Sequence, residues 1–366
     1  MVQTYRYRLY PTKSQYCILQ RQLDICRWVY NDALAYRKNA WENEKRQVKR
    51  FETQDRLPHL KIDHPELREV HSHVLQNVTL RLELAFKSFF RRVKTGEKPG
   101  YPRFKGKGWY DSFTYTESGF KLTEDVLHLS KIGDIKVKLH RKVEGKITRL
   151  IVRRSSTGKW FVSFLTDHDN KKPLPGSDKS VGIDVGISSF AVLSNGTKID
   201  NPRFIKSSEN ALAKAQKKLS KQPKGTPERA KARKVVARVH EKIANMREDF
   251  IQKTSHDLVD SYGVICFEKL NIKSMVGNHC LAKSIMDCAW GKLVQYTSYK
   301  AASAGRIVVL VDPKGTSQMC SACGKKVAKD LSIRVHDCPC CGLVLDRDHN
   351  AAINILRRGL QSVAKA

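Results

Sequence analysis

Val181-Gly182-Ile183-Asp184-Val185-Gly186-Ile187 sets β-branched residues at alternate positions and one aspartate midway between two glycines. Alternation puts the branched residues on one face of a strand and Asp184 with the glycines on the other. Two bare backbone positions beside the acid predict a face that admits a cation and a phosphate without steric block. A turn-capping aspartate is the plainer role for such a residue, but so strict an alternation makes a poor turn.

Outward from this strand, the second half reads strand 181–187, strand 189–194, strand 197–200, two helices, strand 263–268, a helix, strand 306–311, a cysteine-rich insert and a last helix. Three adjacent strands followed by helix, strand, helix, strand and helix predict an RNase H-like α/β fold. Val264-Ile265-Cys266-Phe267-Glu268 is apolar until its final carboxylate, as expected of a parallel strand buried on both faces. Ligands gather at the carboxyl ends of such strands. From Asp348, steps of four, seven and eight reach Ala352, Ile355 and Leu356, the apolar stripe of the last helix. Asp348 rather than Asp346 therefore faces the sheet.

Convergent acids are costly unless cations neutralise them, and hard oxygen ligands suit Mg²⁺. Asp184, Glu268 and Asp348 are thus the candidate catalytic residues and Mg²⁺ ligands for phosphodiester hydrolysis. Asp184 would bridge two ions ~3.5–4 Å apart, with Glu268 and Asp348 holding one each. One ion would activate the attacking water and the other stabilise the departing 3′-oxygen. A purely structural acid cluster is the alternative.

Cys320-x2-Cys323 and Cys338-x2-Cys341 are separated by fourteen residues, the pattern of two zinc knuckles. Four thiolates satisfy tetrahedral Zn²⁺ and leave no open position, so the metal is expected to be structural. Cys340, inside the second knuckle, is the competing ligand. Cys17, Cys26, Cys266, Cys280 and Cys288 lack partner spacing and read as small apolar residues. No apolar signal segment precedes Tyr5-Arg6-Tyr7-Arg8, and no run approaches membrane-spanning length. A cytoplasmic, nucleoid-associated chain with reduced thiols and no membrane partner is expected.

The first half opens with a short strand at residues 5–10, and Thr12 and Gln15 form a capping box that starts a helix. Leu19, Leu23, Cys26, Tyr30 and Leu34 follow its apolar period, and Leu75, Val78, Leu82, Phe86, Phe89 and Val93 mark a second helix. After Pro99-Gly100 the period becomes two, with Ile135, Val137 and Leu139, then Trp160, Val162 and Phe164. A small β-barrel that includes the first strand, with the helices inserted, accounts for this order. A polar stretch from His168 to Ser180 links the halves.

With 68 Lys plus Arg against 36 Asp plus Glu among 366 residues, the net charge of +32 nominates a polyanionic partner. The loop Tyr101-Pro102-Arg103-Phe104-Lys105-Gly106-Lys107-Gly108-Trp109-Tyr110 interleaves cations with aromatics, suited to phosphate contact and stacking. A solvated basic turn is the other reading. From Lys214 to Lys242 a basic helix pair carries Leu212, Leu219, Val235, Val239 and Ile243 on one side, leaving the other for a phosphate backbone.

Nearly the whole chain resembles the TnpB family, RNA-guided DNA endonucleases of insertion sequences related to compact type V CRISPR effectors. Arg8-Leu9-Tyr10-Pro11-Thr12, Phe89-Phe90-Arg91-Arg92-Val93 and Pro99-Gly100-Tyr101-Pro102-Arg103-Phe104-Lys105 resemble its N-terminal half. Gly182-Ile183-Asp184-Val185-Gly186, Glu268-Lys269-Leu270-Asn271-Ile272 and Asp348-His349-Asn350-Ala351-Ala352 resemble its three RuvC-like motifs. Thr316-Ser317-Gln318-Met319-Cys320 resembles its zinc-knuckle entry, preceded by Lys314-Gly315 where the family carries a bulkier aromatic.

The resemblance implies a multidomain α+β and α/β chain. Residues 1–12 and 96–170 would form a wedge-type β-barrel, 13–95 an inserted helical recognition domain and 171–180 a linker. Residues 181–311 and 345–366 would form a RuvC-like nuclease, with a zinc ribbon at 312–344. It further implies a transposon-derived guide RNA, double-stranded target DNA read mostly by pairing, and a short flanking motif read by the protein. Gln76 and Asn77 fall in the motif-reading region, Arg103 and Lys105 in the nucleic-acid-binding loop, and Arg334 would steer single-stranded DNA toward the acids. A monomer is favoured. A nuclease-silent RNA-guided repressor and a strand-transferring transposase are the competing functions, since one fold supports several chemistries. A junction-resolving nuclease fits the ribbon and long N-terminal half poorly.

Overall fold

The computed structural model describes residues 2–167, 173–330 and 333–364. The chain divides into two compact units, Met1–Asp169 and Asn170–Ala366. The start of the expected linker, residues 168–172, lies outside the described residues.

The first unit begins with β1 (Val2–Tyr10) and continues through α1 (Lys13–Glu44), α2 (Arg50–Asp55), α3 (Leu57–Asp63) and α4 (Ser72–Lys94). The Thr12 and Gln15 side chains exchange capping bonds at the start of α1. There follow β2 (Ser112–Thr116), β3 (Phe120–Thr123), β4 (Val126–Leu129), β5 (Gly133–Lys138), β6 (Lys146–Arg154) and β7 (Trp160–Asp167). These strands form one sheet in the order β2-β6-β7-β1-β5-β4-β3, so β1 sits mid-sheet although helices separate it from its neighbours in sequence. Tyr5, Tyr7 and Leu9 alternate inward and join Trp160, Val162 and Phe164 and the α1 and α4 stripes in one core.

Three expectations change here. The sheet ends on β2 and β3, joined by the short connection Glu117–Gly119, and no ladder pairs these edges among the described residues, so the sheet is nearly closed rather than a fully closed barrel. The α4 stripe is buried only as far as Phe86, while Val93 is 52% exposed because the helix runs beyond the core. Cys17 and Cys280 are exposed rather than core residues, unlike Cys26, Cys266 and Cys288.

The second unit contains β8 (Ser180–Val185), β9 (Ser189–Leu193), β10 (Lys198–Asp200), α5 (Phe204–Ser207), α6 (Glu209–Ser220), α7 (Pro227–Ser261) and β11 (Val264–Glu268). It continues with α8 (Ile272–Met275), α9 (His279–Cys288), α10 (Trp290–Ala304), β12 (Ile307–Val311), β13 (Val335–Asp337), β14 (Val344–Asp346) and α11 (Arg347–Val363). The main sheet has the order β10-β9-β8-β11-β12, with β8, β11 and β12 parallel and β9 antiparallel to β8. The sequence pattern predicts one helix between β11 and β12, whereas three are present. Asn271 and Asn278 cap the first two, and Ala289 breaks the last two apart at φ 53 without a glycine or proline to announce it. Val235 is 42% exposed, so the apolar side of α7 is only partly covered.

The opposite face of Gly182 is occupied. A Cβ there would stand 2.1 Å from the Ala352 carbonyl oxygen and 2.5 Å from the Leu356 amide. This glycine makes room for the α11 backbone, not for a cation and phosphate as its position beside Asp184 suggested. Gly182→Ala is expected to lower unfolding free energy by about 1–3 kcal/mol, from overpacking. Denaturant unfolding checks this, and an unchanged midpoint would show that α11 shifts freely.

Candidate active site

Parallel pairing puts Ile183 opposite Phe267, so Asp184 and Glu268 follow on adjacent strands at the same end of the sheet. Because α11 packs its Ala352 turn onto Gly182, its first turn reaches the same end. Four helical residues back to Asp348 rise about 6 Å, and two strand residues forward to Asp184 rise about 6.6 Å. The third acid is thereby delivered beside the other two. Asp346 behaves differently. It caps α11, accepting from the amides of Asp348 (2.9 Å) and His349 (3.2 Å), and pairs with Lys198 Nζ at 2.7 Å. Burial opposes its ionisation, but Lys198 and the two amides outweigh burial and hold it below its usual range.

Burial, then the neighbouring charges of Glu268 and Asp348, push Asp184 up to about 8. Burial also raises Glu268, against the Thr316 hydroxyl and the Arg358 guanidinium. Asp348 is 21% exposed at its side chain, and Arg334 approaches it at 3.8 Å from a 62% exposed position. Three hard carboxylates, two of them resisting ionisation, match the donor set of a divalent cation site. An unfolded aspartate ionises near pH 4. From there to about 8 the folded, cation-free protein keeps a proton that the unfolded chain has lost, so stability falls as pH rises. With chelator present, the thermal midpoint is expected to fall more steeply from about pH 5 to about 8 than in Asp184→Asn. Saturating Mg²⁺ should remove that excess slope, and parallel profiles in both proteins would contradict the buried acid cluster.

The cysteine site is tighter. Among the described residues, Cys320, Cys323, Cys338 and Cys341 place their sulfurs within 4.8 Å of one another. Cys320–Cys341 and Cys323–Cys338 are each 3.6 Å apart, close to the ~3.8 Å that tetrahedral Zn–S bonds of ~2.3 Å require. Gly324 and Gly342 take φ of 74° and 72° directly after each pair, a left-handed turn in which a side chain would be strained. Their amides return to the carbonyls of Cys320 and Cys338 at 3.0 and 2.9 Å. Burial works against a thiolate at Cys320, but the Cys323 and Ala322 amides, His336 and Cys341 together bring it below the usual thiol range. The four cysteines can hold zinc, and exposed Cys340 lies outside the set.

The remaining predicted residues belong to the first unit, apart from Arg334. Gln76 and Asn77 lie on α4, half-buried, and Asn77 Oδ1 accepts from Arg81 Nε at 3.1 Å. Arg103 is exposed. Asn31 grips the Lys105 backbone both ways, donating to its carbonyl at 3.0 Å and accepting from its amide at 2.8 Å. In the same loop Trp109 is 80% exposed. Thr316 and Asn350 enter the sequence pattern only as parts of family motifs and Asn354 not at all, yet each is buried and bonded at the junction of ribbon and sheet.

Residues 163–279 match the OrfB family of IS605 described as "Probable transposase", residues 290–355 the "Cas12f1-like, TNB domain", and residues 1–46 a "Helix-turn-helix domain". A Streptomyces pristinaespiralis protein carrying "RNA-guided DNA endonuclease" in its name is 38% identical over 368 residues, spanning 98% of this chain and 90% of the relative. InsQ of Escherichia coli K12, whose name carries the same words, is 30% identical over 378 residues, spanning 98% and 92%. This chain belongs to the TnpB family. The TnpB-like protein L79 of Acanthamoeba polyphaga mimivirus shares 27% identity over 216 residues, spanning 55% of this chain and 41% of that protein. In this member the segment matching the helix-turn-helix profile is a strand followed by the single 32-residue helix α1. No helix among the described residues is long and apolar enough to cross a membrane.

Proposed function

We propose that this TnpB-family chain is an RNA-guided, Mg²⁺-dependent DNA endonuclease of an insertion sequence. The observation that carries the reading is the placement of Asp184, whose ionisation is opposed by burial and by Glu268 and Asp348 at one end of the sheet. The names of its two long-range relatives point the same way. Asp184, Glu268 and Asp348 would hold two Mg²⁺ ions, which when bound supply an activated water and charge stabilisation at the leaving 3′-oxygen. Asp346 keeps the first turn of α11 in place so that Asp348 is presented to the site.

The first unit is assigned to wedge and recognition roles, and the second to a RuvC-like nuclease interrupted by the zinc ribbon. Guide RNA pairing would select the DNA, while Gln76 and Asn77 read a flanking motif and Arg103 and Lys105 contact the backbone. Arg334 would draw single-stranded DNA toward the acids. Arg334→Ala is expected to slow cleavage and weaken DNA binding several-fold, measured by single-turnover kinetics and filter binding. Unchanged rate and affinity would remove this role.

The direct test uses protein purified with RNA from its native locus and a plasmid library bearing the matching target beside randomised flanks. Mg²⁺-dependent linearisation of plasmids sharing one flank is expected, and chelator should abolish it. Target binding without breaks would instead indicate a guided repressor, and joined DNA products without RNA a transposase.

A further inference from the structure

Glu268 has a partner that neither the metal chemistry nor the fold requires. Thr316, 3% exposed, places Oγ1 at 2.5 Å from Glu268 Oε1 and 3.0 Å from the Pro313 carbonyl oxygen. A hydroxyl carries one proton, and a carboxylate is the stronger acceptor, so Glu268 receives it. The loop bearing Thr316 is held from the last helix. Asn354 Nδ2 donates to the carbonyls of Thr316 (2.9 Å) and Met319 (2.7 Å). Asn350 Nδ2 donates to Met319 (2.8 Å), and its Oδ1 accepts from the Ser321 amide (2.9 Å). Arg358 Nη1 binds the carbonyls of Asp312 (2.9 Å) and Lys314 (2.8 Å) on the other side of the loop. Gly315, at φ 77, lets the chain turn between these anchors, where a bulkier residue would be strained.

Both asparagines are almost fully buried, Asn350 at 0% and Asn354 at 5% exposure. Buried amides are retained only where their bonds are made, so they define the loop position closely. They lie two and six residues beyond Asp348 on the same helix, and the loop they grip leads into Cys320. One run of hydrogen bonds therefore connects the zinc ribbon, the helix of one acid and the side chain of another.

We propose that Thr316 is a positioning residue, whose hydroxyl locks one oxygen of Glu268 so that the other faces the divalent cation, with Asn350 and Asn354 setting where that hydroxyl stands. This inference rests on the reading of the three acids as a cation site. Thr316→Val keeps the shape and deletes the donor, while Thr316→Ser keeps the donor. A carboxylate without its donor rotates more freely and presents its second oxygen less often, which weakens cation binding without touching the ribbon.

The test measures Mn²⁺ binding to the full-length, zinc-loaded protein by the electron paramagnetic resonance of free Mn²⁺. Binding lost in Asp184→Ala defines the site. Thr316→Val is expected to weaken that component about tenfold, as for loss of a hydrogen bond to a charged group. Its zinc content should stay unchanged, and Thr316→Ser should restore the parent affinity. Parent-like Mn²⁺ binding by Thr316→Val would overturn the proposal, as would the absence of any Asp184-dependent Mn²⁺ binding in the parent. Should the parent bind Mn²⁺ and Thr316→Val bind it weakly while guide-loaded protein cuts no DNA, the positioning role stands and the nuclease reading fails.

Discussion

Asp184→Ala is expected to abolish target cleavage, by about three orders of magnitude or more, while the protein keeps its zinc and its RNA. The loss would be chemical. Asp184 is the acid most strongly pressed by the others, so in the proposed site it would be the one whose charge the cations neutralise and the one to meet both. Deleting the carboxylate removes that meeting point. It also removes a buried group that resists ionisation, so the variant should unfold at a higher temperature than the parent in chelator at about pH 8. Loss of activity with gain of stability separates a functional acid from a structural one. Glu268→Ala and Asp348→Ala should also abolish cutting, and retained cutting in any of the three would refute the assigned triad.

The second large effect concerns zinc. The ribbon buries little besides its ligands. Cys320, Cys338 and His336 are buried, while Ile333, Val335 and Val344 are 45%, 51% and 63% exposed. A module with so small an apolar core depends on its metal, and zinc binding supplies roughly 10–16 kcal/mol of folding free energy in isolated zinc-finger peptides. Cys320→Ser is expected to reduce bound zinc from one per chain to none and to lower the thermal midpoint. Cleavage should also be lost, because a melted ribbon withdraws the Met319 and Ser321 backbone from Asn350 and Asn354. Cys340→Ser should leave zinc content and stability at parent values. Metal analysis by mass spectrometry decides the matter, and zinc retained by Cys320→Ser or lost by Cys340→Ser would contradict the ligand set.

Periodicity was a reliable guide where one face of one element settled the outcome. The alternation around Asp184 placed that acid on β8, and the four, seven and eight spacing from Asp348 picked it over Asp346, which the structure uses as a cap. The same strand shows where such reasoning ends. Gly182 is bare for the sake of a helix contributed 170 residues later, and no local pattern distinguishes a gap left for a backbone from one left for a ligand. Stripe length misled in α4 and α7, since a period predicts which side faces a core but not how far that core extends. The asparagines illustrate a third limit. Asn350 and Asn354 stand four apart on one helix face, but their partners are backbone groups some thirty residues upstream, invisible to composition. Arg347, Arg357 and Gln361 share that face with them, so the sequence pattern gives it the look of a solvated side rather than a buried one.

The central claim is that RNA pairing directs the cut made by the three acids. It is tested most directly by replacing the guide segment of the bound RNA with an unrelated sequence. A plasmid carrying the old and new targets, each beside the preferred flank, is then offered with Mg²⁺. The account predicts that breaks move wholly to the new target and disappear in Asp184→Ala. Breaks that stay at the old target, or that form equally without RNA, would contradict it.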